Sequence, residues 1–272
     1  MRAFINTLKN IWKIEDLRQR ILFTLGILLI YRLGSFVVLP GVDPNQLTAL
    51  KQQTSGGVLG LLNMFSGGAF SNASIFALGI MPYISASIVV QLLGIAVPYF
   101  QRLQREGESG RRKINQITRY LTVAILIIQA PSYLKNLQMQ LPDSAFVMST
   151  TFFWVSSVII LTAGSMFIMW LGERITDRGI GNGISLIIMI GIIARLPYSL
   201  FAEFISRLEE QGGGLVAFLV EMIILFFVFV ATILLVQGTR KIPVQYAKRI
   251  VGNKQYGGVR QYIPLKVNSA GV

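Results

Sequence analysis

Neither histidine nor cysteine occurs among the 272 residues. Their absence removes the commonest metal ligand, the commonest general base and the thiol nucleophile together. Zinc sites of His and Cys, and Ser-His or Cys-His nucleophile pairs, are excluded with them. Asp16, Asp43, Asp143 and Asp177 fall in loops or flanks, so no two aspartates meet inside an apolar run. Glu221 is the only carboxylate clearly within one, in its outer third. GIGNG at 179–183 begins like a dinucleotide loop, but Ile184 stands where the last glycine of GxGxxG belongs, and no GK[ST] string exists. No catalytic set is present in the sequence. Among the isoleucines four residues apart, Ile80/Ile84 and Ile188/Ile192 each share one helical face. Ser85, Ser87 and Gln129 are polar residues inside apolar segments, where they need hydrogen-bond partners.

The segments that must position these residues are apolar beyond what a soluble globule uses. Hydrophobic residues make up 53% of the chain and charged ones 14%, against roughly 25% charged in average soluble domains. Runs long enough to cross a bilayer, about 20 residues each, are read at 21–39, 73–97, 120–138, 146–171, 184–201 and 215–237. Arg195 and Pro197 interrupt the fifth, and Gly79 and Pro82 the second. The glycine-containing stretch 172–183 is expected to loosen the start of the fifth span. A packed kink and a wet pathway lined by broken helices both fit these interruptions. The first 20 residues are charged and amphipathic, with no apolar core or cleavage site of a signal peptide. Leu8, Ile11, Trp12 and Ile14 can share a face that lies along a membrane interface, or simply belong to a solvated helix.

Positive charge orients the spans. The formal net charge is +13, and 20 of the 25 Lys and Arg residues lie in the N-terminus and the segments 98–119, 172–183 and 238–268. The opposite side holds Arg32, Lys51, Lys135, Arg195 and Arg207. The positive-inside rule therefore places the basic loops and both chain ends in the cytoplasm.

Five strings follow one another in order: IFALGIMPYISASIVVQLL at 75–93, EGESGRRKINQITRY at 106–120, MWLGERITDRGIGNGISLI at 169–187, PVQYAKR at 243–249 and PLKVNSAGV at 264–272. Together they resemble the SecY family, the pore subunits of the Sec protein translocon, over essentially the whole chain. The resemblance implies an all-α, polytopic helical membrane protein: the first half of an inverted-repeat ten-helix channel plus the sixth helix. Its expected divisions are a cytoplasmic amphipathic N-terminus at 1–20, spans one to five at 21–201, an external loop and sixth span at 202–237, a basic cytoplasmic loop at 238–268 and the start of a seventh span at 269–272. The implied function is a protein-conducting channel in the bacterial plasma membrane, not an enzyme. It passes unfolded secretory proteins across the membrane and releases membrane segments into it.

The same resemblance assigns roles. Ile80, Ile84, Ile188 and Ile192 correspond to part of a pore ring, whose aliphatic side chains close around any peptide without bonding it and hold back water by dewetting. The stretch 57–72, with Leu59, Leu61, Leu62, Met64 and Phe65, corresponds to a plug that blocks the pore from outside. Ser85, Ser87 and Gln129 fall on one side of a lateral gate, whose opposite side lies beyond Val272. Arg111, Arg112, Lys113, Arg240, Lys241, Lys248, Arg249 and Lys254 fall in loops that dock a ribosome, including its rRNA, or the SecA motor. At 252–254 this chain has Gly-Asn-Lys, where many relatives carry arginines. The implied partners are the small subunits SecE and SecG, SecA, the ribosome, signal peptides, nascent chains and the lipid bilayer; no cofactor or metal is implied. A secondary transporter with broken helices is the alternative. It is disfavoured because transporters place ionisable groups near the midplane, and isoleucines coordinate nothing.

Overall fold

The computed structural model describes residues 12–47, 50, 57–208, 214–245, 249–251, 254–256 and 260–267. The chain divides into two compact units, Met1–Pro197 and Tyr198–Val272.

In the first unit, α1 runs Glu15–Gly34, with Glu15 and Asp16 in the first turn and Arg32 in the last, signs that suit the helix dipole. Helix α2 is short, Gly57–Phe65. Helix α3, Met81–Ala96, carries Pro82 in its first turn, where a missing N–H costs nothing. Val97 is extended because it precedes Pro98, and the chain bends by 98° there into α4, Pro98–Arg105. Helix α5, Glu108–Gln140, is 33 residues long and contains Pro131. Helix α6 spans Thr150–Arg178 and α7 Gly183–Ile193.

Three expectations change here. The second span is not helical from residue 73: residues 66–80 form successive turns, and only Met81–Ala96 is helix. Ser66, Ser71 and Ser74 are buried in that stretch and the backbone bonds to itself, which is how irregular chain is tolerated at membrane depth. The segment 98–119 is not a loop but two helices, α4 and the first turns of α5. Nor does 172–183 loosen anything, since α6 continues to Arg178 and only 179–182 turn. A Cβ on Gly183 would collide with the carbonyl of Gly172, so the glycines allow α6 and α7 to touch by their backbones. Gly183 also donates its amide to Thr176 Oγ1 at 2.9 Å, and Ile180 donates to Thr24 Oγ1 of α1 at 3.2 Å.

Two apolar clusters hold this unit together. One gathers Leu39, Leu50, Phe70, Leu134, Leu137, Phe153 and Leu161; the other Tyr31, Phe76, Ile80, Ile168, Leu171, Ile175 and Ile187. A ladder of rings crosses the second: Tyr31 on Phe76, Phe76 on Phe167 and Phe167 on Trp170, with centroids 6.2, 6.1 and 5.7 Å apart. Arg174 covers the far face of the ladder, 5.2 Å from the Trp170 ring. Arg119 and Glu173 join α5 to α6 through a two-pronged ion pair at 2.6 and 3.2 Å.

Helix α8, Leu196–Leu208, begins at the end of the first unit after the break at Ala194–Arg195 and lies mostly in the second, which also contains α9, Gly214–Gln237. Arg207 joins them, donating to Glu203 at 2.8 Å and to Glu221 at 2.6 Å. Glu221 is thus neutralised locally rather than left as a coupling group. No side chain of α9 is buried. The basic segment after it is a ribbon: β1, Thr239–Gln245, pairs antiparallel with β4, Arg260–Lys266, and β2, Arg249–Val251, with β3, Lys254–Tyr256. The segment 269–272, Lys248 and most of 1–14 lie outside the described residues.

Among the described residues, four helical stretches are long and apolar enough to cross a bilayer, and five if the bent pair α3–α4 counts as one span. Helix α1 falls short of that criterion because its first turns are charged, yet Leu22, Leu25, Leu29 and Leu33 present an exposed apolar face. The fold is that of a helical, multi-pass membrane protein.

Candidate functional site: an isoleucine cluster under a short polar-stapled helix

Ile80 immediately precedes α3, and its carbonyl accepts from the amide of Ile84 at 3.1 Å, so the two are in helical register as their spacing requires. Ile80 is buried at 5% exposure, in the cluster of Tyr31, Phe76 and Ile168. Ile84 and Ile188 are half-buried and pack against the same cluster. Three of the four predicted isoleucines therefore meet, from two helices. Ile192 is half-buried one turn further on and is not in that cluster. The fully buried isoleucine of α7 is Ile187, which the i,i+4 pattern did not single out.

Helix α2 packs against α7. Of its predicted apolar residues, Leu59 and Leu62 pack on the first core cluster, while Leu61, Met64 and Phe65 are exposed. What fixes the segment is polar. Asn63 is buried; its carbonyl accepts from Gly68 N at 2.8 Å and its Oδ1 from Ser71 N at 3.1 Å. Ser66 Oγ donates to Asn63 O and accepts from Phe70 N, both at 3.1 Å. Neighbouring helices reach in as well. Tyr133 donates its hydroxyl to Phe70 O at 3.0 Å, Tyr31 to Ser66 O at 3.4 Å, and Arg32 Nη1 to Gly67 O at 2.7 Å. Asn63, Ser66 and Ser71 are of residue types whose side chains readily bond nearby backbone, but nothing in their spacing marks them as anchors.

A cavity of about 350 Å³ opens between this segment, α3 and α5. Leu59 and Leu62 line it, with Ser85 of α3 and Gln129, Ser132 and Tyr133 of α5. Two of the three predicted gate residues thus share one mostly apolar cavity. Ser87 does not line it, and accepts instead from Gln91 Nε2 of its own helix at 3.4 Å. Sequence reasoning passed over Ser132 and Asn136, which lie one and two turns beyond Gln129 on the same wall.

The predicted docking cations fall in two places. Arg111, Arg112 and Lys113 are exposed on the first turns of α5, where Arg112 meets Glu108 at 3.8 Å. Arg240 and Lys241 are exposed on β1, opposite Leu265 and Pro264. Arg249 and Lys254 belong to β2 and β3, while Lys248 lies outside the described residues.

Comparison with known proteins decides the family, since the SecY sequence profile matches residues 74–272. The chain belongs to the SecY family. It is 44% identical to the protein translocase subunit SecY of Mycobacterium tuberculosis, over all of this chain and 62% of that protein. With the Escherichia coli subunit of the same name it is 46% identical, over 94% of this chain and 58% of that one. The chain therefore spans about three fifths of the length of the SecY relatives it matches. Among solved structures it resembles one described as a protein conducting channel, with TM-score 0.55 and 18% identity over 92% of this chain and 52% of that one. A second, concerned with how the SecY plug domain stabilizes the closed state and maintains a membrane seal, gives TM-score 0.58 and 18% identity over the same shares. At that identity the likeness is one of fold, and SecY membership rests on the sequence matches.

Proposed function

We propose that this chain forms the N-terminal half of a protein-conducting channel, together with its sixth span and the basic ribbon that follows. In this reading it lies in the bacterial plasma membrane with its N-terminus in the cytoplasm. It passes unfolded secretory chains outward and releases apolar segments sideways into lipid. The observation that carries the proposal is the seating of Gly57–Phe65: a short helix, stapled by Asn63 and Ser66, packed on the helix that brings Ile188 to Ile80 and Ile84. Ile84, Ile188 and Ile192 act as the sliding constriction with Ile80 behind them, and 57–72 as the plug. Ser85 and Gln129 face the cavity through which a segment leaves, and Ser87 stabilises α3.

A constriction of isoleucines suits this task because it has no hydrogen-bonding preference among passing sequences, and a narrow apolar passage empties of water when idle. The partners in this reading are SecE and SecG in the membrane, SecA or the ribosome at the basic ribbon and at Arg111–Lys113, and signal peptides and nascent chains inside. Replacing both Ile84 and Ile188 with glycine in the assembled channel should raise resting single-channel conductance in planar bilayers. Wild-type resting conductance in the double variant would remove these residues from the seal.

A further inference from the structure

The turn that leaves α2 is held between two guanidinium groups. Arg32, in the last turn of α1, donates Nη1 to the carbonyl of Gly67 at 2.7 Å. Arg195, just past α7, donates Nη2 to Ser71 Oγ at 3.3 Å. Both arginines are half-buried, and among the described residues neither has a carboxylate partner in ion-pairing range. A cation withdrawn from water needs acceptors, and the hydrogen-bond acceptors found here are neutral groups of the plug segment, with the Phe36 ring 5.0 Å from the Arg32 guanidinium on another side. The backbone is shaped to admit them. Gly67 and Gly68 take φ of +65° and +91°, and a Cβ on Gly68 would lie 2.6 Å from Arg195 Nη2. On its other side, a Cβ on Gly67 would lie 3.0 Å from the Cα of Gly191 in α7.

Resting on the channel reading above, we propose that Arg32 and Arg195 form a cationic bracket that sets how readily the plug leaves its seat. They are positioning residues: they act on the seal only through the Gly67 carbonyl and the Ser71 hydroxyl. While the plug is seated, each guanidinium exchanges part of its hydration for a charge-assisted hydrogen bond, stronger than a neutral one. When it withdraws, both cations must rehydrate at the vacated mouth. The bracket therefore biases the equilibrium toward closure without touching the isoleucine constriction. The two arms hold separate acceptors, so either can be weakened alone.

The test is resting single-channel recording of the assembled channel in planar bilayers, with deletion of 57–72 as the positive control. R32Q and R195Q are each expected to raise the frequency of spontaneous opening about tenfold, the worth of one charged hydrogen bond. S71A also removes the bond that Ser71 Oγ donates to Gly68 O at 3.1 Å, so it should open at least as often as R195Q. The R195Q/S71A pair should open no more often than S71A alone, because the Arg195 contact is already lost there. R195K, which keeps the charge and a donor, should fall between R195Q and wild type. Should R32Q fail to assemble, R195Q and S71A carry the test on their own. If the deletion leaks but R195Q and S71A stay sealed, the bracket is wrong and the channel reading stands. Additive opening in the R195Q/S71A pair would likewise overturn the assigned contact. A deletion that does not leak would overturn the channel reading itself.

Discussion

Asn182 shows what a single side chain contributes to the turn between α6 and α7. Its Oδ1 accepts from the amides of Ile184 and Ser185 at 3.1 and 3.3 Å, satisfying two of the donors that a helix start leaves open. Asn182→Ala should therefore lower stability by about 1 kcal/mol, and Asn182→Asp by much less. The shift in thermal unfolding midpoint of the detergent-solubilised protein measures both. Equal losses in the two variants would mean that the cap is not what Asn182 supplies. GIGNG begins like a nucleotide motif, but its Gly183 serves the helix crossing, its Gly181 a turn at φ +67° and its asparagine a cap. At this scale the isoleucine spacing was legible in the sequence, because four residues on a helix is one face whatever surrounds it. The anchors of the short helix were not. Asn63, Ser66 and Ser71 are ordinary polar residues until the chain folds back on itself and Arg32, Tyr31 and Tyr133 arrive from distant positions.

At the scale of elements, most of each apolar run is helix, although 73–80 is a series of turns and 194–195 a break, while helix that runs on into charged sequence gives no hydropathy signal. Residues 108–119, ESGRRKINQITR, read as loop because their charge stops the hydropathy signal. Glu, Arg, Lys and Gln are nonetheless good helix formers, and the apolar half supplies a nucleus from which the helix propagates. The ribbon strands within 239–266 were hidden for a different reason: the pairing of β1 with β4 joins residues far apart in sequence, such as Thr239 with Lys266, and no local period announces that. The ribbon sharpens the docking proposal, because a β-paired arm can hold its charges in a fixed array. Lys248→Glu with Arg249→Glu should leave membrane insertion intact, weaken ribosome co-sedimentation and flatten its salt dependence, since fewer counterions are released. Wild-type co-sedimentation across a salt series, together with wild-type motor stimulation, would leave the charge with a topological role alone.

For the whole molecule, the division of basic residues predicts which surfaces meet the cytoplasm. The chain has no native thiol to compete with engineered ones. Ser109→Cys and Asn253→Cys should react with a membrane-impermeant reagent only from the cytoplasmic side, and Gln52→Cys and Gln211→Cys only from outside. Labelling of Gln52→Cys or Gln211→Cys from the cytoplasm would overturn the six-span orientation. The helical multi-pass architecture was legible because bilayer thickness sets a run length that composition records. The span read at 73–97 ends at the residue before Pro98, where the chain bends by 98°; what the proline does not announce is that the chain resumes there as helix α4 rather than as loop.

The length of α5 has a mechanical consequence. Thirty-three residues make a rod about 50 Å long, while the hydrocarbon core is about 30 Å thick. The rod is therefore about 20 Å longer than the core it would cross, and Arg111, Arg112 and Lys113 lie at its polar end, where α4 packs on it. Sixteen residues separate Lys113 from Gln129, an arm of about 24 Å along the axis. A tilt of only about 5° moves one end relative to the other by about 2 Å over that arm. Arg119 and Glu173 clamp the rod to α6 part-way along, as a fulcrum would. In the channel reading proposed above, a load on that end would be carried as a tilt to the wall that bears Gln129, Ser132 and Asn136, with no segment having to unfold.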